Sequence, residues 1–515
     1  MLQPVIVLGV VLVLITAMRT SITEDEPYFY SYGRRILFTG TFARPDPIDN
    51  SKLPVSALNV LPEWVAGRFG VQATWDQHLS WFVEPEATYI AKNLALYEGR
   101  LVTVVFYVVL CWLVFAWGRQ MYGPSPALAA TTLIAFLPTM LGHASLVTVD
   151  VAATCTIFAA VYALARCFAA ASLRARLIAG LALGLAQLVK YTAVELIPIA
   201  CLMLLIRTAI AEPGVSRWRV LHSGAVSLGV ATLVTIAVIN LGFGFQGSGV
   251  RLIDLPCHSG ACQSLRGLFG VVPLPLPYEY LNGLDLVMFQ DSSGIGGGNV
   301  YLLGKLSRNG FASYYAVATL LKTPLPFLGL LLVRPWRREH LCGDLMLLVP
   351  VLWLFVHLSF FFRTQLGLRF FLPAFPFLAL LASANWKADR RQHLRLAAST
   401  ILGFYVLGTI CQCPRYLSYF NCLIGHRLNA YHYLADSNLD WGQDLFALWA
   451  WERAHAGQHY TLEPYFPAQG LVIVRANDFL GINDPEAYAW LRARAAPVAT
   501  IGDSYLAFDI APADR

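Results

Sequence analysis

The stretch PVIVLGVVLVLITAMRTSITEDEP, residues 4–27, decides how the rest of the chain is read. Residues 4–19 are apolar up to Arg19, and Glu24, Asp25 and Glu26 follow almost at once. A run of this kind spans a bilayer when flanking residues complete the roughly 20 positions a crossing needs. A signal peptide would show a basic n-region before the run and a small-residue cleavage site after it. Neither is present, so the run reads as a membrane helix with three carboxylates at its exit.

The same apolar character extends along most of the 515 residues. Hydrophobic residues make up 57% and charged residues 13%, with a mean hydropathy of +0.56. A soluble domain has roughly 45–50% apolar and about 25% charged residues. This composition excludes a soluble enzyme, a disordered chain and a globular protein on a single anchor. The 13 Trp, 23 Tyr and 30 Phe suit aromatic belts at two membrane interfaces. A net charge of +6, with no basic cluster interleaved with stacking aromatics, gives no nucleic-acid signature.

Eleven runs read as membrane segments: 4–19, 100–117, 126–141, 150–165, 177–189, 192–206, 221–240, 312–333, 343–361, 370–385 and 395–411. Only Lys190-Tyr191 separates the fifth from the sixth. A single helix over 177–206 would run roughly 45 Å with a charge in its middle, so two short helices are expected there. Short loops on one side carry fourteen Lys and Arg, against Lys190, Arg363 and Arg369 on the other. The positive-inside rule makes the first side cytoplasmic, although Arg19 argues the opposite way.

Everything long then falls outside: loops 20–99 and 242–311 within a membrane domain of residues 1–411, and a tail over 412–515. The first loop reads as two interfacial helices, 26–38 and 84–98, each opened by Glu-Pro and mixing aromatics with charges. The tail alternates helical stretches (440–455, 485–494) with apolar runs (470–475, 497–501, 505–510), as a small extracytoplasmic α/β domain would. The expected fold is therefore an all-α polytopic membrane protein with a small α/β C-terminal domain. Cys257 and Cys262 stand five apart in an outer loop, where a disulfide and two free thiols are equally open. Cys411, Cys413 and Cys422 have no His at zinc-finger spacing, and no metal site is expected.

Charges at membrane depth are costly and therefore informative. On the outer face they form a short set: Asp25, Glu26, Lys52, Asp150 (just after His143), Lys190, Lys322 and Arg369. Carboxylates and cations on one membrane face suit the transfer of a sugar from a polyprenyl phosphate. A carboxylate base takes the acceptor's proton. Cations stabilise the departing phosphate. One base opposite a leaving phosphate implies a single displacement with inversion, since retention needs a second carboxylate as nucleophile. Each residue also has a plainer reading. Asp25-Glu26 and Asp150 suit helix N-termini. Lys190, Arg369 and Lys322 suit interfacial snorkelling, and His143 a satisfied interfacial histidine.

Several stretches resemble a known family. The placement of Thr23-Glu24-Asp25-Glu26-Pro27 after the first helix resembles the first-loop acidic motif of the GT-C class. More closely, it resembles that of the family 39 glycosyltransferases, the protein O-mannosyltransferases and the lipid A aminoarabinose transferases. HASLVTVD (143–150) is similar to that group's second acidic site. GLALGLAQLVKYTAVELIP (180–198), KTPLP (322–326) and RFFLPAFPFLALL (369–381) are similar to stretches of its bacterial members. YLSYFNCLIG (416–425) and YHYLADSNLDWGQDL (431–445) resemble a signature after the last span in a bacterial subgroup.

The resemblance implies a GT-C fold and an inverting transferase using a polyprenyl-phosphate sugar in a bacterial inner membrane, with the site on the periplasmic face. It assigns Asp25 as base, with Glu26 beside it, and Asp150 as the second acid. It implies that Lys52, Lys190 and Arg369 meet the donor phosphate. Protein mannosyltransferases continue with Val-His-Phe where this chain has Pro27-Tyr28-Phe29, and carry a large lumenal β-domain. A tail of this size points away from a protein acceptor and leaves lipid, glycan or protein open. Asp436, Asp440 and Trp441 read as a capped turn or an acceptor contact; His143 and Lys322 have either a substrate or a structural role. No cofactor is expected, and a need for a divalent cation stays open. The rival is a transporter or flippase without chemistry, which would place its charges near the midplane of repeated halves. Here they gather at one interface, and the sequence has no internal repeat.

Overall fold

Without water, every backbone N–H and C=O in lipid must pair within its own segment, so long apolar runs become helices unless proline interrupts them. A computed structural model of the chain describes residues 2–43, 53–70, 85–211, 214–294, 298–336, 341–387 and 389–511. Helix α1 (Leu2–Arg19) is followed by α2 (Glu26–Thr39) and α3 (Ser56–Arg68) in the first outer loop. Helix α4 (Glu86–Tyr122) is continuous, so the separate helices expected over 84–98 and 100–117 are one. Nothing between them breaks a helix except Gly99, which α3 needs: a Cβ there would lie 2.9 Å from the Asn59 carbonyl oxygen. At 37 residues α4 is roughly 55 Å long and projects well beyond the hydrocarbon layer.

Next come α5 (Pro124–Ala135), α6 (Pro138–Ala144), α7 (Asp150–Ala170) and α8 (Leu173–Gln187). A 3-10 turn (Tyr191–Glu195) then leads into α9 (Leu196–Ala209), followed by α10 (Arg217–Gly242). The second outer loop holds α11 (Gly260–Phe269), α12 (Tyr278–Ser293) and a hairpin of β1 (Val300–Leu302) with β2 (Lys305–Ser307). A disulfide joins Cys257 to Cys262. The bundle closes with α13 (Tyr314–Lys322), α14 (Leu325–Leu332), α15 (Leu341–Phe360), α16 (Phe375–Ala382) and α17 (Gln392–Cys411).

This is a multi-pass membrane protein, but not with eleven equal crossings. Among the described residues seven helices are long and apolar enough to span, and two bent pairs, α5–α6 at 61° and α13–α14 at 112°, bring the number to as many as nine. The runs at 177–189 and 370–385 become α8 and the 15-residue stretch Leu372–Trp386, both short of a crossing. Proline explains the sharper bend. The ring of Pro324 disfavours helix at Thr323, which is extended (φ −101°, ψ 132°), so α13 stops at Lys322 and the chain turns. Between α8 and α9 the helix breaks at Lys190, also extended, so 177–206 forms two helices with the lysine at their junction.

The tail threads over the bundle in short 3-10 turns before α18 (Leu445–Ala454). Strands β3 (Tyr460–Leu462), β4 (Gly470–Arg475), β5 (Ala499–Ile501) and β6 (Tyr505–Ile510) form a sheet in the order β3-β4-β6-β5. The β3–β4 pair is parallel and the rest antiparallel. Alternation along β4 and β6 divides two small cores. Ile473, Tyr505 and Ala507 pack with Leu448 of α18, while Val472, Val474, Leu506 and Phe508 face Phe479, Leu480 and Leu491. The sheet was legible as apolar runs, β3 was not, and residues 440–444 form a turn instead of the first turn of a helix. The second outer loop is tied in as well: Asn299 N–H donates to Ile482 O and Leu303 N–H to Tyr433 O.

Candidate active site under the tail

The three acids that follow α1 go to three different places. Glu26 turns inward and is fully buried against Arg100 of α4, also fully buried. The guanidinium grips it with two hydrogen bonds (2.8 and 2.7 Å) and donates also to the carbonyls of Ala17, Thr20 and Ser21. The carboxylate further accepts the N–H groups of Thr23 and Val147. A carboxylate so enclosed and saturated fixes the end of α1 on α4. Glu24 points to the tail, 2.7 Å from Arg475. Asp25 alone of the three lines the cavity described below; it is 35% exposed, with its Oδ2 2.6 Å from Nη1 of Arg369.

Asp150, the first residue of α7, is 2% exposed and organises the cations. Nζ of Lys190 lies 2.6 Å from its Oδ1, Nη1 of Arg369 3.9 Å from its Oδ2, and Nδ1 of His143 3.7 Å from the same oxygen. Phe370 lies between the cations, with Lys190 Nζ 4.4 Å and the Arg369 guanidinium carbon 5.4 Å from its ring centre. The ring of Trp441 covers Arg369 at 4.2 Å. Burial works against the charge of Arg369, but Asp25, Asp150 and Asp436 hold its pKa above the usual value. Asp25, Asp150, Lys190 and Arg369 line a single cavity of about 200 Å³, together with Phe29, Phe370 and Asp291.

The other singled-out residues have different places. Lys52 lies outside the described residues. Lys322 is 2% exposed, and its ammonium donates to the carbonyls of Leu417 (2.7 Å) and Asn438 (2.5 Å), which gives it a structural post. His143 is buried against Asp150 and Trp441. Asp440 is fully buried and holds Arg475 (2.8 Å) and the Asn477 N–H (3.1 Å). Asp436 adopts a left-handed φ of 55°, and burial pushes its pKa up to about 7 against the lowering pull of Arg369. Among the described residues no group of three or more His, Cys, Asp or Glu could hold a metal ion.

Sequence reasoning missed Arg100, Arg475, Phe370 and Asp291. Arg100 is the first residue of the run 100–117 and Arg475 the last of the run 470–475, and neither position carries a signal of its partner. Asp291 accepts the N–H groups of Arg363 and Thr364 (2.9 Å each) and so docks α12 on the loop before Arg369. Only the two residues' adjacency to the FQD segment in space, invisible in one dimension, marks it.

The fold has counterparts among known proteins. Over 84% of its length the chain superposes on 56% of the oligosaccharyltransferase of Archaeoglobus fulgidus tethered to an acceptor peptide, with a TM-score of 0.51 and 13% identity. The chain has the GT-C fold. Residues 80–239 match the family model of the dolichyl-phosphate-mannose-protein mannosyltransferases, in agreement with the resemblance read from the motifs. ArnT from Cupriavidus metallidurans bound to undecaprenyl phosphate is also similar, with 14% identity, a TM-score of 0.47, and 84% of this chain covering 67% of that one. The chain thus spans little more than half of the archaeal enzyme and two thirds of ArnT. No curated protein matches the sequence significantly. Family match and GT-C fold together support glycosyl transfer at a membrane.

Proposed function

We propose that the protein is an inverting glycosyltransferase that moves a sugar from a polyprenyl phosphate to an acceptor on the outer face of a bacterial inner membrane. The observation that supports this best is the shared cavity: Asp25, the one of the three acids after α1 that lines it, stands beside two cations, Arg369 and Lys190. In this reading an acceptor hydroxyl gives its proton to Asp25 as its oxygen bonds to the anomeric carbon. The bond from that carbon to the phosphate oxygen breaks, and the lipid phosphate leaves with the electron pair. Lys190 and Arg369 stabilise the charge that develops on it. Asp150, too enclosed to take a proton from an acceptor, sets the spacing of the two cations. The closing hydrophobic wall of Phe29 and Phe370 suits the first isoprene units.

The loop charges and the course of α7 support the outward orientation. Helix α7 starts at Asp150 in the site and ends at Ala170, so the segment after it, with Arg174 and Arg176, follows from the far end of that helix. Incubating the purified protein with a panel of polyprenyl-phosphate sugars, and measuring release of lipid phosphate, tests the proposal. Release that depends on one donor and is lost in Asp25→Asn supports it; no release from any donor, with or without candidate acceptors, refutes it.

A further inference from the structure

The turn Asp440-Trp441-Gly442-Gln443-Asp444 and Leu445 reach across the whole chain to the four residues just before Asp25. Glu24 N–H donates to Trp441 O (3.0 Å), and Ser21 N–H to Gln443 O (3.1 Å). The Ser21 hydroxyl donates to Gly442 O (2.7 Å) and accepts from Leu445 N–H (3.0 Å). Arg475 of β4 then bridges Glu24 and Asp440 at 2.7 and 2.8 Å. The turn is itself rigidly built. Asp440 accepts the N–H groups of Gly442 and Asn477, and the Gln443 side chain closes back on Trp441 N–H and Leu439 O. Meanwhile the Trp441 ring, 2% exposed and packed on Leu146 and Leu417, has its centre 4.2 Å from the guanidinium carbon of Arg369.

Both members of the Asp25–Arg369 pair are therefore held by one turn of the tail: the acid through the backbone of residues 21–24, the cation through an aromatic face. An arginine has four rotatable side-chain bonds, and an exposed one samples many positions. A guanidinium pressed on an indole in a desolvated site is held in one plane, with its N–H edge left for anions. We propose that residues 440–445 are positioning residues of the catalytic centre, a clip that sets Asp25 and Arg369 at their working separation, so that the site is incomplete without the tail. Trp441 fixes the cation that meets the donor phosphate, and the Glu24–Arg475–Asp440 bridge fixes the loop that carries the base. This inference rests on the glycosyltransferase reading above.

The two halves of the clip predict different kinetic signatures in the full-length purified protein. Trp441→Phe keeps an aromatic face and should leave the donor KM within about threefold of wild type. Trp441→Leu keeps apolar bulk without a π face. It should raise donor KM, and weaken binding of undecaprenyl phosphate alone, by about tenfold, the size of a desolvated cation–π contact. Glu24→Gln, at a half-exposed position, should lower kcat by several-fold while undecaprenyl phosphate binds as before. Equal behaviour of folded Trp441→Leu and Trp441→Phe, or wild-type kcat in Glu24→Gln, overturns the clip while leaving the glycosyltransferase reading intact. If Trp441→Leu does not fold, Glu24→Gln decides alone. A wild-type protein that neither binds undecaprenyl phosphate nor transfers sugar overturns the functional reading, and the clip with it.

Discussion

Asp25→Asn and Glu26→Gln make the same chemical change at adjacent positions, and the structure requires opposite outcomes. Glu26 and Arg100 are both fully buried, 2.7 Å apart, and Glu26 supplies the only carboxylate that touches Arg100 among the described residues. Replacing one partner of such a pair leaves an uncompensated charge away from water, which costs about 3–5 kcal/mol. Glutamine still accepts one guanidinium N–H, so the lower end applies, and a loss of about 3 kcal/mol is roughly a hundredfold in the folding constant. Asp25 is 35% exposed and, among the described residues, its carboxylate pairs with Arg369, so its neutral amide should change stability by at most about 1 kcal/mol. Its loss as a general base should lower transfer by roughly 10²-fold or more, with donor affinity within a few-fold. Thermal unfolding in detergent, with turnover expressed per folded molecule, separates the two effects. A Glu26→Gln protein as stable as wild type but inactive, or a folded Asp25→Asn protein with near-normal transfer, would refute the division of labour.

Lys190→Ala or Arg369→Ala should weaken donor binding or turnover by about tenfold or more, since a hydrogen bond to a charged phosphate contributes about 1.5–3 kcal/mol; unchanged donor kinetics in both would make them membrane anchors only. A reporter fused after residue 411 should lie outside and one after residue 334 in the cytoplasm, and an inside signal at 411 would reverse the orientation. Burial raises Asp436 to about 7 and Asp444 to about 6, so the folded tail holds protons that the unfolded chain loses near pH 4. Their contribution to stability should therefore be fully present below about pH 4 and fall as pH rises to about 7; the pH dependence of unfolding, followed by tryptophan fluorescence, should differ between wild type and Asp436→Asn by this contribution, and an identical pH dependence in that variant would refute the assignment.

The sequence by itself determined the membrane character, the helical class, the collection of charges at one face and the small sheet of the tail. These are properties of local pattern: a long apolar run has few backbone solutions in lipid, and a short apolar run of about six residues suits a buried strand. It also singled out Asp25, Asp150, Lys190 and Arg369, because a charge beside an apolar run is conspicuous at any distance from its partner. Tertiary structure alone decided what each charge does. Glu24, Asp25 and Glu26 are equivalent by position and type, yet they pair with Arg475, Arg369 and Arg100, residues separated from them by 451, 344 and 74 positions. Whether a carboxylate is sealed, bridged or open depends on which long-range neighbour reaches it. Likewise the sequence left Lys322 either a substrate or a structural role, and only the folded chain places its ammonium on two carbonyls of the tail. The number of crossings was also beyond local pattern: a run of apolar residues fixes that a segment is buried in lipid or protein, but packing and proline geometry decide whether it crosses, bends or stops halfway.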